Sequence, residues 1–288
     1  MPRFNEQKYE DLVLSLVTGT CIFYGAGVSK LAGYKLWNEL RGEMITFFWE
    51  NRSQIPENKR KKVDLSRCDY LRKHGDLIEA FGYLYYIDET LFINGIREIF
   101  YSDERRSNNK IFSLLNILNN GKNYFVTTNI DIGFQKFIGL SDEYISINPS
   151  FSNPPKLINY LHGRIDKVNS WIFTRGQYNE GYVINDKPCL NFLINVFENY
   201  NVLFIGYGLE EFDIKNAISM TRKRKEHFWL EASSRGNEDY LQVRRTDLEQ
   251  NYNIKLIPYY IDEDGHEILI NVIKSLSDVM NNKLRGVS

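Results

Sequence analysis

Three short apolar runs, each delivering the chain into glycines or short polar side chains, constrain this sequence more than any other feature. Thr20-Cys21-Ile22-Phe23-Tyr24 leads into Gly25-Ala26-Gly27-Val28-Ser29, and Asn123-Tyr124-Phe125-Val126 leads into Thr127-Thr128-Asn129-Ile130-Asp131. Asn201-Val202-Leu203-Phe204-Ile205 leads into Gly206-Tyr207-Gly208-Leu209. Such runs read as strands buried on both faces, the pattern of a parallel sheet covered by helices. In open sheets of that kind ligands lie outside the carboxyl ends of the strands. A fourth motif, Leu161-His162-Gly163, also closes an apolar run.

Further candidate strands fall at 144–147, 157–161, 227–231 and 254–260. Helical spacing appears over 6–17 (Tyr9, Leu12, Val13, Leu16) and 37–50, and Pro188 suits the first turn of a helix through Asn199. From Asn38 to Asn119 the apolar positions keep helical periods and no strand appears, so this stretch reads as an inserted helical module. Asn153-Pro154-Pro155 reads as a turn, and Trp171-Ile172-Phe173-Thr174 reads as one more strand and turn. The expected architecture is α/β, a Rossmann-like parallel sheet forming one domain over 1–288. Its core comprises 20–37 and 120–262, and its helical insertion 38–119.

With 288 residues and 43% hydrophobic composition, the chain can bury a sizeable core. A net charge of -1 implies no global attraction to nucleic acid or an anionic membrane, so neither is expected as a partner. The basic runs Lys59-Arg60-Lys61-Lys62 and Arg222-Lys223-Arg224-Lys225 read as solvated helix faces. The first residues lack the layout of a secretory leader, and no run approaches a membrane span, so the expected location is cytoplasmic. Cys21, Cys68 and Cys189 are too scattered for a disulfide framework and contain no Cys-x-x-Cys pair, so no metal is expected.

Glycines at 25 and 27 let backbone amides approach a pyrophosphate, and a helix starting near Val28 would direct its positive end at the same anion, with Ser29 donating a hydroxyl. The same residues would also serve a tight strand-to-helix turn without a ligand. Lys30 stands where the Gly-x-Gly-x-x-Gly fingerprint has its third glycine, which separates this loop from ordinary hydride-transfer sites. Asn129 and Asp131 emerge at a strand end, as chemistry or as a helix cap. His162 is one of four histidines, and an ordinary pKa near 6.5 suits proton transfer.

The four motifs in this order resemble the sirtuin family, whose NAD site has a Gly-Ala-Gly-x-Ser loop, a Gln-Asn-Ile-Asp segment, a His-Gly pair and a late Gly-x-Ser-Leu loop. The resemblance spans roughly 20 to 260. It implies that Gly25, Ala26, Gly27, Ser29, Thr128, Gly206, Tyr207 and Gly208 bind NAD. Asn129 would hold the ribose or the attacking water, Asp131 the nicotinamide carboxamide, and His162 would act as base on the nicotinamide ribose hydroxyls. Trp37 stands at the family's aromatic position beside the nicotinamide, or else in the core of its helix. Thr128 replaces the family's glutamine, and Tyr207-Gly208 replaces its two hydroxyl residues. Thr174 and Tyr178 follow a pattern similar to bacterial sirtuin-like domains, and also fit a helix cap and a packing aromatic. Glu231 is placed to receive an adenosine ribose hydroxyl.

Conventional sirtuin deacylation uses a module held by four zinc-binding cysteines, which this sequence does not have. The resemblance is therefore to bacterial sirtuin-like effectors that hydrolyse NAD in antiphage defence. It implies an NAD+ glycohydrolase releasing nicotinamide and ADP-ribose, with an NAD-dependent protein deacylase as one alternative and a non-catalytic NAD or ADP-ribose binding subunit as another. Control by assembly is implied: a homo-oligomer, with a HerA-type ring ATPase as partner or a short Argonaute-type protein as the alternative. Phe47, Phe48, Trp49, Phe81, Tyr83, Tyr85 and Tyr86 exceed what one helical face buries, pointing either to a subunit interface or to a two-sided core.

Overall fold

The computed structural model of the chain describes residues 9–73, 76–104, 109–149, 156–184, 186–208, 212–222, 225–261 and 265–286. The first eight residues, the expected turn at 153–155, Leu209 and part of the second basic run lie outside these residues.

In chain order the elements are α1 (Glu10–Thr18), β1 (Thr20–Tyr24), α2 (Ala26–Ala32), α3 (Trp37–Glu50), α4 (Glu57–Arg60), α5 (Leu65–Lys73), α6 (Leu77–Ile87), α7 (Glu89–Glu104) and α8 (Lys110–Ile117). There follow β2 (Tyr124–Thr127), α9 (Gly133–Ile138), β3 (Ile145–Ile147), β4 (Ile158–Tyr160), α10 (Arg175–Tyr182), α11 (Pro188–Asn199) and β5 (Asn201–Ile205). The chain ends with α12 (Phe212–Ser219), β6 (His227–Ser233), α13 (Glu238–Tyr252), β7 (Ile254–Tyr260) and α14 (Ile268–Leu284).

Among the described residues one seven-stranded sheet runs β3-β4-β2-β1-β5-β6-β7, with every pairing parallel. The chain moves outward from β1 through β2 on one side and returns to place β5 on the other. The order therefore reverses at β1, and in open α/β sheets such a switch point opens a crevice at the strand carboxyl ends. Gly25 and Gly206 stand at that place.

Side chains alternate across the sheet with a period of two. Ile22, Tyr24, Phe125, Tyr160, Leu203 and Ile205 enter one core, which is shared with α1, α3, α6, α7, α8 and α14. Cys21, Phe23, Val126, Leu161, Val202 and Phe204 enter a second core on the other face with α11 and α13. Both faces are dry, which is why these strands read as continuous apolar runs. The helical stretch 38–119 shares the first core instead of forming its own. Within it Phe48 and Phe81 are buried, while Tyr86 is 63% exposed.

Two local expectations are corrected. Trp171 to Phe173 forms no strand: after a short turn at Val168–Ser170 the chain is held by tertiary bonds, Trp171 Nε1 donating to the Arg164 carbonyl at 2.6 Å and the Phe173 amide to Gln177 Oε1 at 2.9 Å. Helix α2 begins at Ala26, two residues before the expected start. Thr174 caps α10 in a reciprocal box with Gln177.

Candidate active site

The β1–α2 loop and the β5 loop lock together through their backbones. The Gly25 amide donates to the Ile205 carbonyl at 3.0 Å, and the Gly27 amide to the Gly206 carbonyl at 2.8 Å. A Cβ on Gly25 would stand 2.7 Å from the Gly206 carbonyl oxygen, and one on Gly206, whose φ is +58°, would stand 2.6 Å from the Val28 amide nitrogen. The glycines are thus required by close approach of two loops, and these two amides are directed at chain carbonyls. Trp229 Nε1 donates to the Tyr207 carbonyl at 2.8 Å, which fixes the second loop from β6.

Beneath this seam Ser29, Asn129 and Asp131 form a buried cluster, each under 5% exposed. Ser29 Oγ donates to Asp131 Oδ2 at 2.6 Å, and its only proton is then committed. Asn129 must therefore donate to it through Nδ2, at 2.8 Å, which leaves Asn129 Oδ1 buried with no hydrogen-bond partner among the described residues. Asp131 Oδ1 accepts from the Gly133 amide at 3.2 Å, so it also steadies the start of α9. Thr127 Oγ1 donates to the Tyr24 carbonyl and accepts the Asn129 amide, tying β2 to β1. A buried acceptor without a donor carries a desolvation penalty that a ligand hydroxyl or water would relieve.

His162 follows β4, whose end is joined to β2 by the Leu161 amide donating to the Thr127 carbonyl at 2.8 Å. It is 7% exposed, and its Nε2 lies 3.0 Å from the hydroxyl of Tyr182. Burial lowers its pKa to about 4, so the imidazole is neutral at physiological pH and can accept a proton. Tyr178 and Tyr182 stack at 4.7 Å, one helical turn apart on α10. Gly163 has φ +84°, and a Cβ there would collide with the Ser170 carbonyl oxygen. Arg164, with its side chain 4% exposed, pairs with Asp142 and Asp166 at 2.7 Å each and anchors the loop.

Two cavities open beside these groups. One, of about 1060 Å³, is lined by His162, Tyr178, Tyr182, Phe81, Phe173 and Leu190 among others. The other, of about 400 Å³, runs from Ala26, Gly27, Thr128 and Gly206 to Trp229, Glu231, Tyr240 and Arg244. Trp37, Tyr207 and Gly208 line both, so the cavities adjoin. Trp37 also packs against Phe173 at 5.6 Å and Phe81 at 6.3 Å, which satisfies its core role and its place in the wall together. Of the candidate residues, Gly25, Ser29, Asn129 and Asp131 line neither cavity.

Glu231 Oε1 lies 2.7 Å from Arg244 Nε, an ion pair rather than an aligned hydrogen bond, and Glu231 Oε2 is buried without a partner. Burial raises this carboxyl above the ordinary range, against the lowering influence of Arg244. Tyr182 and Arg244 escaped sequence reasoning. Tyr182 stands four residues after Tyr178, a spacing that could have flagged it, whereas nothing local marks Arg244.

No group of three or more His, Cys, Asp or Glu side chains among the described residues is placed to hold a metal ion. The three cysteines are buried and unpaired, Cys21 within β1, Cys68 in α5 and Cys189 in α11. No described helix is long and apolar enough to cross a membrane.

A parallel sheet with its switch point at paired glycine loops defines a Rossmann-like α/β fold. Residues 123–257, from the start of β2 into β7, match the family model of the SIR2-like domain, so this part of the chain is similar to that domain. Asn129, His162, Gly206 and Glu231 fall inside the match, and Gly25 to Ser29 precede it. The SIR2-like family consists in general of NAD-dependent enzymes. No curated protein matches the chain.

Proposed function

We propose that the chain is an NAD+ glycohydrolase, breaking the bond between nicotinamide and ribose. The observation that carries this reading is a neutral, buried His162 facing a roomy cavity that adjoins a second cavity ending at Glu231. A dinucleotide needs such a two-part cleft. The unpartnered Asn129 Oδ1 and Glu231 Oε2 supply acceptors for hydroxyls.

In the reaction water adds to the ribose carbon, nicotinamide leaves with the bonding electrons, and a proton is released. His162 accepts a proton from a ribose hydroxyl as positive charge grows on the sugar. Asn129 holds the ribose or the water, and Asp131, fixed by Ser29, receives the carboxamide. Ala26, Gly27, Thr128, Gly206, Tyr207 and Gly208 form the floor for the rest of the dinucleotide, Gly25 and Ser29 hold that floor in place through the seam and through Asp131, and Trp37 forms the partition between its two ends. Fixing reacting groups in this way supplies much of the rate.

The wide apolar wall near His162 favours one second reading, an NAD-dependent deacylase with an acyl chain in that space. The readings separate when purified protein receives NAD+ with and without an acylated peptide: release of nicotinamide without peptide supports hydrolysis. We further infer a role in antiphage defence, with the activity held in check by homo-oligomerisation and a HerA-type ring ATPase, or else a short Argonaute-type protein. Light scattering of the isolated chain, and NAD+ turnover with and without the co-expressed partner, test this. A monomer at full rate unaided would overturn it.

A further inference from the structure

We propose that Glu231 and Arg244 make the second cavity select a dinucleotide with a free adenosine 2′-hydroxyl over its 2′-phosphorylated form, so that the chain takes NAD+ and rejects NADP+. The inference rests on the dinucleotide reading above.

Glu231 stands near the carboxyl end of β6, and its two oxygens have different fates. Oε1 faces the Arg244 guanidinium at 2.7 Å, whereas Oε2 is buried and has no hydrogen-bond partner among the described residues. The side chain is 11% exposed and lines the cavity that begins at Gly27 and Gly206. A ribose hydroxyl can donate to Oε2 and relieve its lost hydration. A phosphate monoester at neutral pH brings about -1.5 to -2 charges and three acceptor oxygens, and so meets a carboxylate with repulsion.

Arg244 is held independently of Glu231. Its guanidinium carbon lies 4.5 Å from the Trp229 ring centroid and 5.9 Å from that of Tyr240, and Nη1 donates to the Tyr240 hydroxyl at 3.3 Å. A guanidinium held against the Trp229 ring and the Tyr240 hydroxyl is a ready phosphate ligand once its carboxylate partner is gone. The other basic side chain lining this cavity is His266, which is exposed. The acid therefore sets the selectivity, and Arg244 is the latent phosphate site that Glu231 masks.

The test uses ADP-ribose and 2′-phospho-ADP-ribose as probes, because neither retains the bond that the enzyme would break. Calorimetry on the whole chain should show ADP-ribose binding more tightly by on the order of 10²-fold. Glu231→Gln, which keeps side-chain shape, should narrow that ratio at least about tenfold, and adding Arg244→Ala should remove the affinity gained for the phosphorylated probe. Arg244→Ala alone, read in parallel with its melting curve, should widen the ratio, and it stands as the test should Glu231→Gln fail to fold. Equal wild-type affinities, or a ratio unmoved by folded Glu231→Gln, would overturn the inference while leaving the dinucleotide reading standing. Wild-type protein that binds neither probe nor NAD+ would overturn both.

Discussion

Around Gly25 and Gly206 the chain closes upon itself, whereas around His162 it leaves a cavity of about 1060 Å³. At the seam two loops exchange backbone bonds, and added methyl groups would collide with backbone atoms. At the His162 end the imidazole is buried against Tyr178 and Tyr182, and the space in front of it is ringed by apolar side chains and by exposed Asp76 and Arg175. The seam leaves no room for a side chain at its glycines, whereas the cavity leaves room for a ligand. Substitutions should therefore separate the two regions, costing stability at the first and activity at the second.

The largest effect is expected at the seam. Gly206→Ala adds left-handed strain at φ +58° and a collision with the Val28 amide, a loss of about 2 to 5 kcal/mol in chemical denaturation. Gly121→Ala is the control, since its φ is +80° with nothing within 4 Å, and only the strain of about 1 to 2 kcal/mol should appear. Equal losses would mean that close approach is not what the seam requires.

Acid should act on two buried histidines, one at the cavity and one at the amino end of β6, away from the seam. Burial lowers His162 to about 4 and His227 to about 3, both below the ordinary value of 6.5. Between those values the unfolded chain binds protons that the folded chain refuses, so stability falls as pH drops from about 6.5 toward 4 and levels only below the folded pKa values. The combined loss is on the order of a few kcal/mol, read from denaturant midpoints across pH. His162→Gln should flatten part of that slope, and an unchanged slope would contradict a neutral buried imidazole.

Asn129→Ala tests the buried Ser29–Asn129–Asp131 cluster, which lines neither cavity. It removes the unpartnered Oδ1, and nicotinamide release should fall about 10²-fold with the fold retained. Near-normal turnover would remove Asn129 from the chemistry. The smallest effect belongs to Thr174→Ala, which loses the α10 cap for about 1 kcal/mol of stability with turnover spared. A large loss of turnover there would assign Thr174 a role beyond capping.

The sheet was legible because its strands are dry on both faces and end in glycines or short polar residues. Trp171-Ile172-Phe173 misled for the same reason: its composition is that of a strand, but Arg164 and Gln177 supply the bonds that a neighbouring strand would. The site was legible as residue types and order, not as connections. Ser29 and Asp131 are 102 positions apart, and only the β1–β2 register unites them. The sequence likewise could not show that the Gly25 and Gly27 amides would be taken by carbonyls across the seam.

The central claim is that His162 serves cleavage of the nicotinamide–ribose bond without an acyl acceptor. The direct measurement is nicotinamide release from NAD+ alone by wild-type chain and by His162→Ala, each with and without the proposed partner and with melting curves compared. Wild type should give nicotinamide and ADP-ribose in equal amounts, and the variant should be slower by about 10² or more with its fold intact. Release that requires an acylated peptide, or a variant that keeps the wild-type rate, would contradict it.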